Sequence, residues 1–308
     1  MTRGVSVQKN GGTMVAIPAM SASWSVNRST VTEDAFNRAT QTAILGGTYS
    51  VTGSISAAYR PTALETLNLG VLGSNSTGNI DTTGDFDGDG DNCAGGFNIN
   101  YGGNDTNDKY SFTNCVFNSM ELTLNANEYA KVTYNWIGRM APSSHTAPTA
   151  ITTAYNEDIP VFYNAVLNYD GTIKAKGVTL KIDRPITPTF ALGSEYARKF
   201  DQSGQLAVSG SLSLSSAEYT KLQSSLATGD EAHPNIDAST SPTNANSISK
   251  ATLTITLQKS NGSAAIKVIT VSNVGITEAS LNIQGMNALD KSINWIAQIS
   301  EDDDLTFV

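Results

Sequence analysis

Alternation of apolar and polar residues is the feature that most constrains the fold of this 308-residue chain. It recurs in residues 130–137, 206–214 and 252–257, among other segments. Successive side chains of a β-strand point to opposite faces, so each such segment predicts a strand with one buried and one solvated face. Antiparallel or mixed sheets tolerate a solvated face, and we therefore expect a mainly β protein.

Turn signals and helical spacing add detail to this prediction. Asn261-Gly262 separates two alternating segments, and Asp170-Gly171 separates two more, so both pairs predict hairpins. Only residues 61–68 and 216–226 have the spacing of an amphipathic helix, with Pro61 suited to the first turn of one of them.

Short sequence matches recur at a nearly constant separation. Gly53 and Gly210, each inside a similar strand, lie 157 residues apart, and Asn-Trp-Ile at 135–137 recurs at 294–296. We interpret these matches as an internal duplication into residues 1–155 and 156–308, with an acidic insertion at about 74–108 in the first copy. The segment 141–160 is rich in Pro, Ser and Thr, as linkers are. The alternative is two unrelated β domains that share hairpin-forming sequences.

Composition and charge exclude several function classes. There are 19 basic and 28 acidic residues, a net charge of −9, and no basic cluster that would bind phosphates. No apolar run reaches the roughly 20 residues of a membrane-spanning helix, and the first residues lack the apolar core of a signal peptide, so we expect a soluble, unsecreted protein. No catalytic motif is present, and His145 and His233 lie in predicted loops, so we do not expect an enzyme.

One motif indicates a metal ion. Asp85, Asp87 and Asp89 occupy positions 1, 3 and 5 of a calcium-loop pattern, followed by Gly90 and Asp91. Crowded carboxylates repel one another unless a cation neutralises them, which favours Ca²⁺ as the one candidate cofactor, although the protein is not expected to require it. Position 12 of the pattern is a glycine where a bidentate Glu is usual, and a solvated acidic loop is the alternative.

The two cysteines are Cys93, within the acidic insertion, and Cys115, just beyond its end. A disulfide between them would brace the loop in an oxidising medium, whereas two buried thiols fit a chain made in the cytoplasm. Both interpretations stay open from the sequence.

Several segments together resemble the tail tube (major tail) proteins of tailed bacteriophages and tailed archaeal viruses. They span most of the chain outside the insertion and the linker: strand 48–56 continuing through Ala-Ala-Tyr-Arg-Pro into helix 62–72, residues 110–121, 136–139, 182–185, 190–194 and 204–215.

The resemblance implies two tandem β-sandwich or half-barrel domains, each with one flanking α-helix, whose inner strands join those of neighbouring subunits. Stacked rings would form the tube that carries double-stranded DNA from capsid to host, in contact with other tail proteins, in a virion assembled from protein made in the host cytoplasm. Rings of this family are usually hexameric. Two fused units would make a trimer pseudo-hexameric, with a hexamer of whole chains as the alternative.

On this interpretation the lumen is lined by residues 48–59 with 131–139 and 205–215 with 293–299, whose solvent faces carry mostly Ser and Thr. Such a surface offers DNA little to bind. The competing functional hypothesis is a non-catalytic glycan-binding or surface-layer β protein, which would display exposed aromatic platforms or an export signal.

Overall fold

The computed structural model describes residues 4–9, 12–33, 43–73, 80, 96–102, 109–139, 159–161, 165–169, 171–214, 250–258, 265–282 and 290–308. The helix and strands in these residues are, in chain order, β1 (Gly4–Lys9), β2 (Val15–Ile17), β3 (Ala19–Glu33), β4 (Ala43–Ala58), α1 (Glu65–Leu72), β5 (Phe97–Gly102), β6 (Lys109–Asn125), β7 (Lys131–Gly138), β8 (Ala165–Tyr169), β9 (Thr172–Ile173), β10 (Ala175–Asp183), β11 (Ile186–Phe190), β12 (Ala197–Gln202), β13 (Ala207–Leu214), β14 (Lys250–Gln258), β15 (Ala265–Asn282), β16 (Asp290–Ala297) and β17 (Leu305–Phe307).

Fifteen of these strands form one antiparallel sheet, and β11 and β12 form a separate hairpin. The prediction of a mainly β protein is confirmed. Eight strands follow one another across the sheet in the order β3-β4-β7-β6-β10-β13-β16-β15, which we call the eight-strand path. Its first four strands come from the first half of the sequence and its last four from the second half, so the sheet is continuous across the predicted boundary near residue 155.

The two predicted hairpins are confirmed by strand pairing. β14 and β15 pair around the predicted Asn261-Gly262 turn, and β8 pairs with β9 around the Asp170-Gly171 turn. Gly171 has a positive φ of 123°, which only glycine adopts without strain. The other three turn residues lie outside the described residues.

The first four strands and the last four strands of the path each contain a glycine paired with a tryptophan on the neighbouring strand. Gly53 of β4 lies opposite Trp136 of β7, and Gly210 of β13 lies opposite Trp295 of β16. Both tryptophans are buried, and each ring covers the glycine across from it. Each ring occupies space that a side chain at the glycine would otherwise fill.

Irregularities also recur at matching positions. A bulge follows Phe117 where β6 pairs with β7, and another follows Ile276 where β15 pairs with β16. Asn114 and Asn273 have positive φ angles of 53° and 54°, a conformation that asparagine tolerates better than most residues. Bulges bend a strand and increase its twist, so both long strands curve at the same point.

The predicted first helix forms, but it begins later than residues 61–68 suggest. Pro61 and the three residues after it form a turn, and α1 then spans Glu65–Leu72. No side chain caps its first turn, and Gly73 ends it with a left-handed φ of 73°. The predicted helix at residues 216–226 lies outside the described residues.

A buried hydrogen-bond chain fixes α1 on the sheet. Tyr134 Oη donates to Asn68 Oδ1 at 2.6 Å, and Asn68 Nδ2 donates to Tyr59 Oη at 3.3 Å. Burial raises the pKa of Tyr134 well above its usual value, so its hydroxyl stays protonated and remains a donor. Among the described residues, no helix combines the length and apolar character needed to span a membrane.

Candidate functional site

The side chains on the face of the eight-strand path opposite the core are mostly small and polar. The core face carries residues such as Ile55, Tyr134, Leu180 and Leu212, all buried. Because strand side chains alternate, the intervening positions share the other face. The small polar ones are Ser21, Ser23, Ser25, Thr52, Ser54, Ser56, Thr133, Asn135, Thr123, Thr179, Ser209, Ser211, Ser213, Asn294 and Ser280, and the same face carries Ile137 and Ile296 at one end. We call this surface the polar face.

Cross-strand hydrogen bonds hold these short side chains to one another. The pairs are Ser23 with Ser54 (2.9 Å), Ser56 with Thr133 (2.9 Å), Asn135 with Ser119 (2.8 Å), Ser280 with Ser292 (2.6 Å) and Asn294 with Glu278 (2.7 Å). Groups that are already paired across strands have less capacity left to bind a passing ligand. The polar face is therefore hydrophilic, and many of its hydroxyl and amide groups already bond to one another.

Charges on the described part of the polar face are few and of mixed sign. Lys181 Nζ lies 3.1 Å from Asp183 Oδ2 and Lys131 Nζ lies 3.1 Å from Glu128 Oε2, which offsets both positive charges, and Glu121 and Glu278 add negative charge. Binding a phosphate backbone requires several clustered cations. Among the described residues, this surface lacks such a cluster.

The structure brings the predicted lumen segments together as neighbouring strands. Residues 48–59 lie in or next to β4, and 131–139 run along β7, which pairs with it. Residues 205–214 and 293–299 include the paired parts of β13 and β16. Residue 215 lies outside the described residues.

Among the described residues, the path ends in two open strand edges. In that part of the chain β3 pairs with β4 alone, and all described side chains from 21 to 30 are exposed except that of Val26, which is half-buried. At the other end, β15 pairs with β14 up to Gly275, so residues 276–282 have, within the described part of the chain, a partner, β16, on one side alone. Unpaired N–H and C=O groups along such edges are ready to pair with another strand.

The β11–β12 hairpin covers the strands of the first half at the β6–β10 junction. Ile186 and Phe200 of the hairpin form a small buried cluster with Val116, against which Ile137 packs. Arg139 Nε donates to the carbonyl of Ala197 at 2.7 Å. The hairpin therefore adds a second layer of contacts to the junction between the two halves.

Further along, the hairpin reaches the outermost strands of the first half. The rings of Tyr49 and Tyr196 stack with centroids 5.3 Å apart, and Arg28 Nη2 lies 2.8 Å from Glu195 Oε1. Both members of that ion pair are exposed, so it contributes little to stability and mainly orients the hairpin tip.

Arg184 is buried at the same junction. Its Nη2 donates to the carbonyl of Leu72 at 3.0 Å, and its amide donates to the carbonyl of Asn118 at 2.8 Å. The C-terminal end of a helix carries partial negative charge, which a guanidinium stabilises. Arg184 belongs to the second half of the sequence and α1 to the first, so this contact couples the halves.

Most residues of the predicted metal and cysteine sites lie where the structure does not describe the chain. Asp85, Asp87, Asp89 and Asp91 lie outside the described residues, as do Cys93, His145 and His233. Cys115 is buried in β6. In the parts of the chain that are described, no group of three or more His, Cys, Asp or Glu side chains is placed to hold a metal ion.

Sequence analysis missed two features of this region. Arg184 belongs to segment 182–185, which the sequence analysis used only for the family resemblance, and its burial was not predicted. Its position just before Pro185 was the one signal, and it indicated only the end of a strand. The β11–β12 hairpin was not predicted; Pro188 lies inside β11, and a proline within a segment is a signal against a strand. In a two-stranded hairpin the missing N–H can face outward, so the proline is accommodated.

A mainly β protein with a polar sheet face and two open edges falls in the class of structural proteins that associate through strands. The family model described as "Phage tail tube protein" matches residues 94–297, which is more than half of the chain. The chain therefore belongs to the phage tail tube protein family, and the resemblance stated from its sequence is confirmed. No curated protein matches the chain.

Family membership makes the chain a structural component of a virus tail. Such families are typically non-enzymatic, self-associate and contact other tail proteins. Membership also favours the tail-tube hypothesis over the glycan-binding or surface-layer alternative.

Proposed function

We propose that copies of this chain assemble into stacked rings that form the tail tube, the conduit through which the genome is delivered into the host. The observation that carries the proposal is the eight-strand path, one continuous sheet that ends in two open edges. Joining such edges between copies would close a ring and satisfy the backbone groups that are otherwise exposed. The polar face would then line the lumen.

Passage of DNA fits the chemistry of the polar face. Double-stranded DNA carries a dense negative charge, and a wall of hydroxyl and amide groups with mixed charges would neither trap it nor repel it strongly at physiological salt. We infer that DNA contacts the lumen without specific binding.

We also propose that the chain is an internal duplication with a boundary near residue 155. The recurring glycine–tryptophan pairs, the bulges after Phe117 and Ile276, and the left-handed Asn114 and Asn273 support it. Bulges are kept at the same positions within a protein family. Two unrelated domains that only share hairpin-forming sequences would not be expected to have bulges at matching positions.

Duplication bears on ring symmetry. Each chain would supply two quasi-equivalent units of four strands, so three chains would make a pseudo-hexameric ring of six units. A ring of six whole chains is the alternative. We favour the trimer because it supplies six units, the number that matches the hexameric rings usual in the family the chain resembles.

Electron microscopy of the purified full-length protein tests the proposed function. We expect hollow tubes of stacked rings, and three chains per ring by native mass measurement of isolated rings. A protein that stays monomeric at the concentrations where tail proteins assemble would contradict the function. Tubes with six chains per ring would contradict the trimer alone.

We propose, separately, that the acidic insertion binds Ca²⁺ through Asp85, Asp87, Asp89 and Asp91. Carboxylate oxygens crowded on one loop are the ligands that Ca²⁺ prefers. Calorimetric titration of the chelator-treated protein with Ca²⁺ tests this, with Asp85→Asn and Asp89→Asn together as the control. Equal heats from the variant and the wild type would count against the site.

A further inference from the structure

β3 and β10 occupy matching places in the two halves of the eight-strand path, and residues at matching positions on them differ in burial. Trp24 of β3 lies opposite Gly53, and Leu180 of β10 lies opposite Gly210. Leu180 is fully buried, because β6 runs along the other side of β10. Trp24 remains 36% exposed at the open edge of β3. β10 has β6 as a second neighbour, whereas no described strand takes the equivalent place beside β3.

The strand that matches β6 is β15. Phe117 of β6 and Ile276 of β15 lie opposite the two buried tryptophans and precede the two bulges. The part of β6 that pairs with β10 begins at Ser119, just beyond its bulge. The matching part of β15 begins at Glu278, and no strand in the described part of the chain pairs with it on that side.

We propose that the β6–β10 junction inside the chain is repeated between chains, with β3 of a second copy pairing antiparallel to residues 278–282 of β15. The internal register places Lys181 opposite Glu121 and Asp183 opposite Ser119. Transferred to the open edges, it places Ser25 opposite Ser280 and Asn27 opposite Glu278. This inference rests on the proposed function and assigns the contact surface that ring assembly uses.

The chemistry of the two edges is compatible with this register. Ser25 and Ser280 are uncharged, so no like charges meet at that pair. Asn27 carries amide donors, and Glu278 is a carboxylate that already accepts a hydrogen bond from Asn294 at 2.7 Å. A carboxylate oxygen accepts more than one hydrogen bond, so Asn27 adds a contact without displacing Asn294.

An exposed isoleucine gives independent support. Ile137 of β7 is half-buried, because the β11–β12 hairpin packs over it. Ile296 occupies the same place on β16, next to the buried tryptophan, and is 51% exposed. An exposed large apolar side chain at a position covered elsewhere in the same fold indicates a surface that is covered on assembly.

The segment that would cover Ile296 can also be named. The β11–β12 hairpin connects β10 to β13, and the corresponding connection in the first half is the outer arm of β3 and β4, where Thr30–Glu33 pairs with Ala43–Gly46. When β3 of a second copy pairs with β15, its arm continues from the joined edge across the neighbouring strand β16. The arm therefore lies over Ile296 as the hairpin lies over Ile137.

Engineered cysteine pairs test the register in assembled tubes. We expect Ser25→Cys with Ser280→Cys to cross-link into a ladder of covalent multimers upon oxidation or with a short thiol cross-linker, because directly opposed Cβ atoms lie about 5 Å apart. Glu121→Cys with Lys181→Cys is the matched control, since it should cross-link within one chain and give no ladder. The single-cysteine variants report any contribution from the two native cysteines.

A second pair checks the register itself. Ser21→Cys with Glu278→Cys is displaced by six residues, about 20 Å along the strand, and should not cross-link. Tubes that cross-link through this pair, or tubes in which Ser25→Cys with Ser280→Cys gives no ladder, would overturn the proposed interface while leaving the tube function intact. A wild-type protein that forms no tubes would instead contradict the proposed function.

Ile296→Asp provides a measurement that does not depend on cysteine chemistry. Because Ile296 is exposed in the single chain, we expect an unchanged unfolding midpoint together with loss of tube assembly. Val166→Asp replaces another exposed apolar residue, 39% exposed on β8, and should assemble normally. Tubes from Ile296→Asp in wild-type yield would overturn the role of the arm.

Discussion

The two buried tryptophans differ in one hydrogen bond. Trp136 Nε1 donates to Tyr101 Oη at 2.9 Å, whereas no acceptor among the described residues lies within reach of Trp295 Nε1. The residue that occupies the place of Tyr101 in the second half is Ile255, which has no polar atom in its side chain. A buried polar group without a partner lowers stability, so the two indole groups contribute unequally.

We therefore expect Trp136→Phe to be more destabilising than Trp295→Phe. Both substitutions remove the same atoms, but only the first leaves a buried tyrosine hydroxyl without its donor, at a cost of about 1–2 kcal/mol beyond the common loss of packing. Urea unfolding of the two variants measures the difference. Equal losses of free energy would contradict the role assigned to the hydrogen bond.

Asp304 is a second residue whose surroundings determine how much it stabilises the fold. Burial alone would raise its pKa, but hydrogen bonds from the amides of Ser300 and Glu301, the Ser300 hydroxyl and Asn273 Nδ2 hold the pKa below its usual value. The contacts join the turn before β17 to β15. Because the folded-state pKa is lowered, the ionised carboxylate stabilises the fold above its unfolded pKa of about 3.8, and this contribution is lost as the pH falls.

Asp304→Asn should consequently lower the unfolding midpoint at pH 7, and the difference from wild type should shrink at pH 3, which lies below the unfolded pKa of about 3.8, because the carboxyl of the unfolded chain is then mostly protonated. Asp303→Asn, at an exposed neighbouring position, should change little at either pH. Chemical denaturation at the two pH values measures both variants. A difference for Asp304→Asn that is as large at pH 3 as at pH 7 would contradict the assignment.

Among the strands, packing at Gly53 sets how closely β4 approaches its neighbours. A Cβ atom there would overlap the ring of Trp136 and lie 2.7 Å from the carbonyl oxygen of Ser23. The need for glycine at this position is one of space between strands, because its backbone is ordinary extended strand. Gly210 meets Trp295 in the same way.

Gly53→Ala is expected to lower the free energy of unfolding by about 1–3 kcal/mol, because the tryptophan ring and the neighbouring strand must shift to admit the methyl group. Thr52→Ala, on the exposed face of the same strand, is the matched control and should cost much less. Thermal unfolding of the two variants gives the comparison. An unperturbed midpoint for Gly53→Ala would show that the sheet relaxes freely around Trp136.

Local sequence patterns predicted most strands well and the helix only approximately. Alternation is a local property, so β7, β13 and β14 follow from it directly. The start of α1 was placed four residues early because Pro61 suits a first helical turn, while in the structure Leu64 precedes the helix without a capping side chain. Boundaries of this kind depend on tertiary packing, here the buried contact of Asn68 with Tyr134.

At the scale of the whole molecule, the polar face could be anticipated but its edges could not. The Ser and Thr positions follow from alternation. Which strands end the sheet depends on pairings between residues far apart in sequence, such as β6 with β10, and no local pattern encodes them. The burial of Arg184 against α1 is long-range in the same sense, because its partner lies more than a hundred residues away.

The β6–β10 junction has a consequence for the kinetics of assembly. Its two strands belong to one polypeptide, so they meet at an effective concentration set by the segment that connects them, whatever the abundance of the protein. In the proposed three-chain ring, half of the contacts between units would thus form at a rate independent of dilution. Only the other half would wait for collisions between molecules.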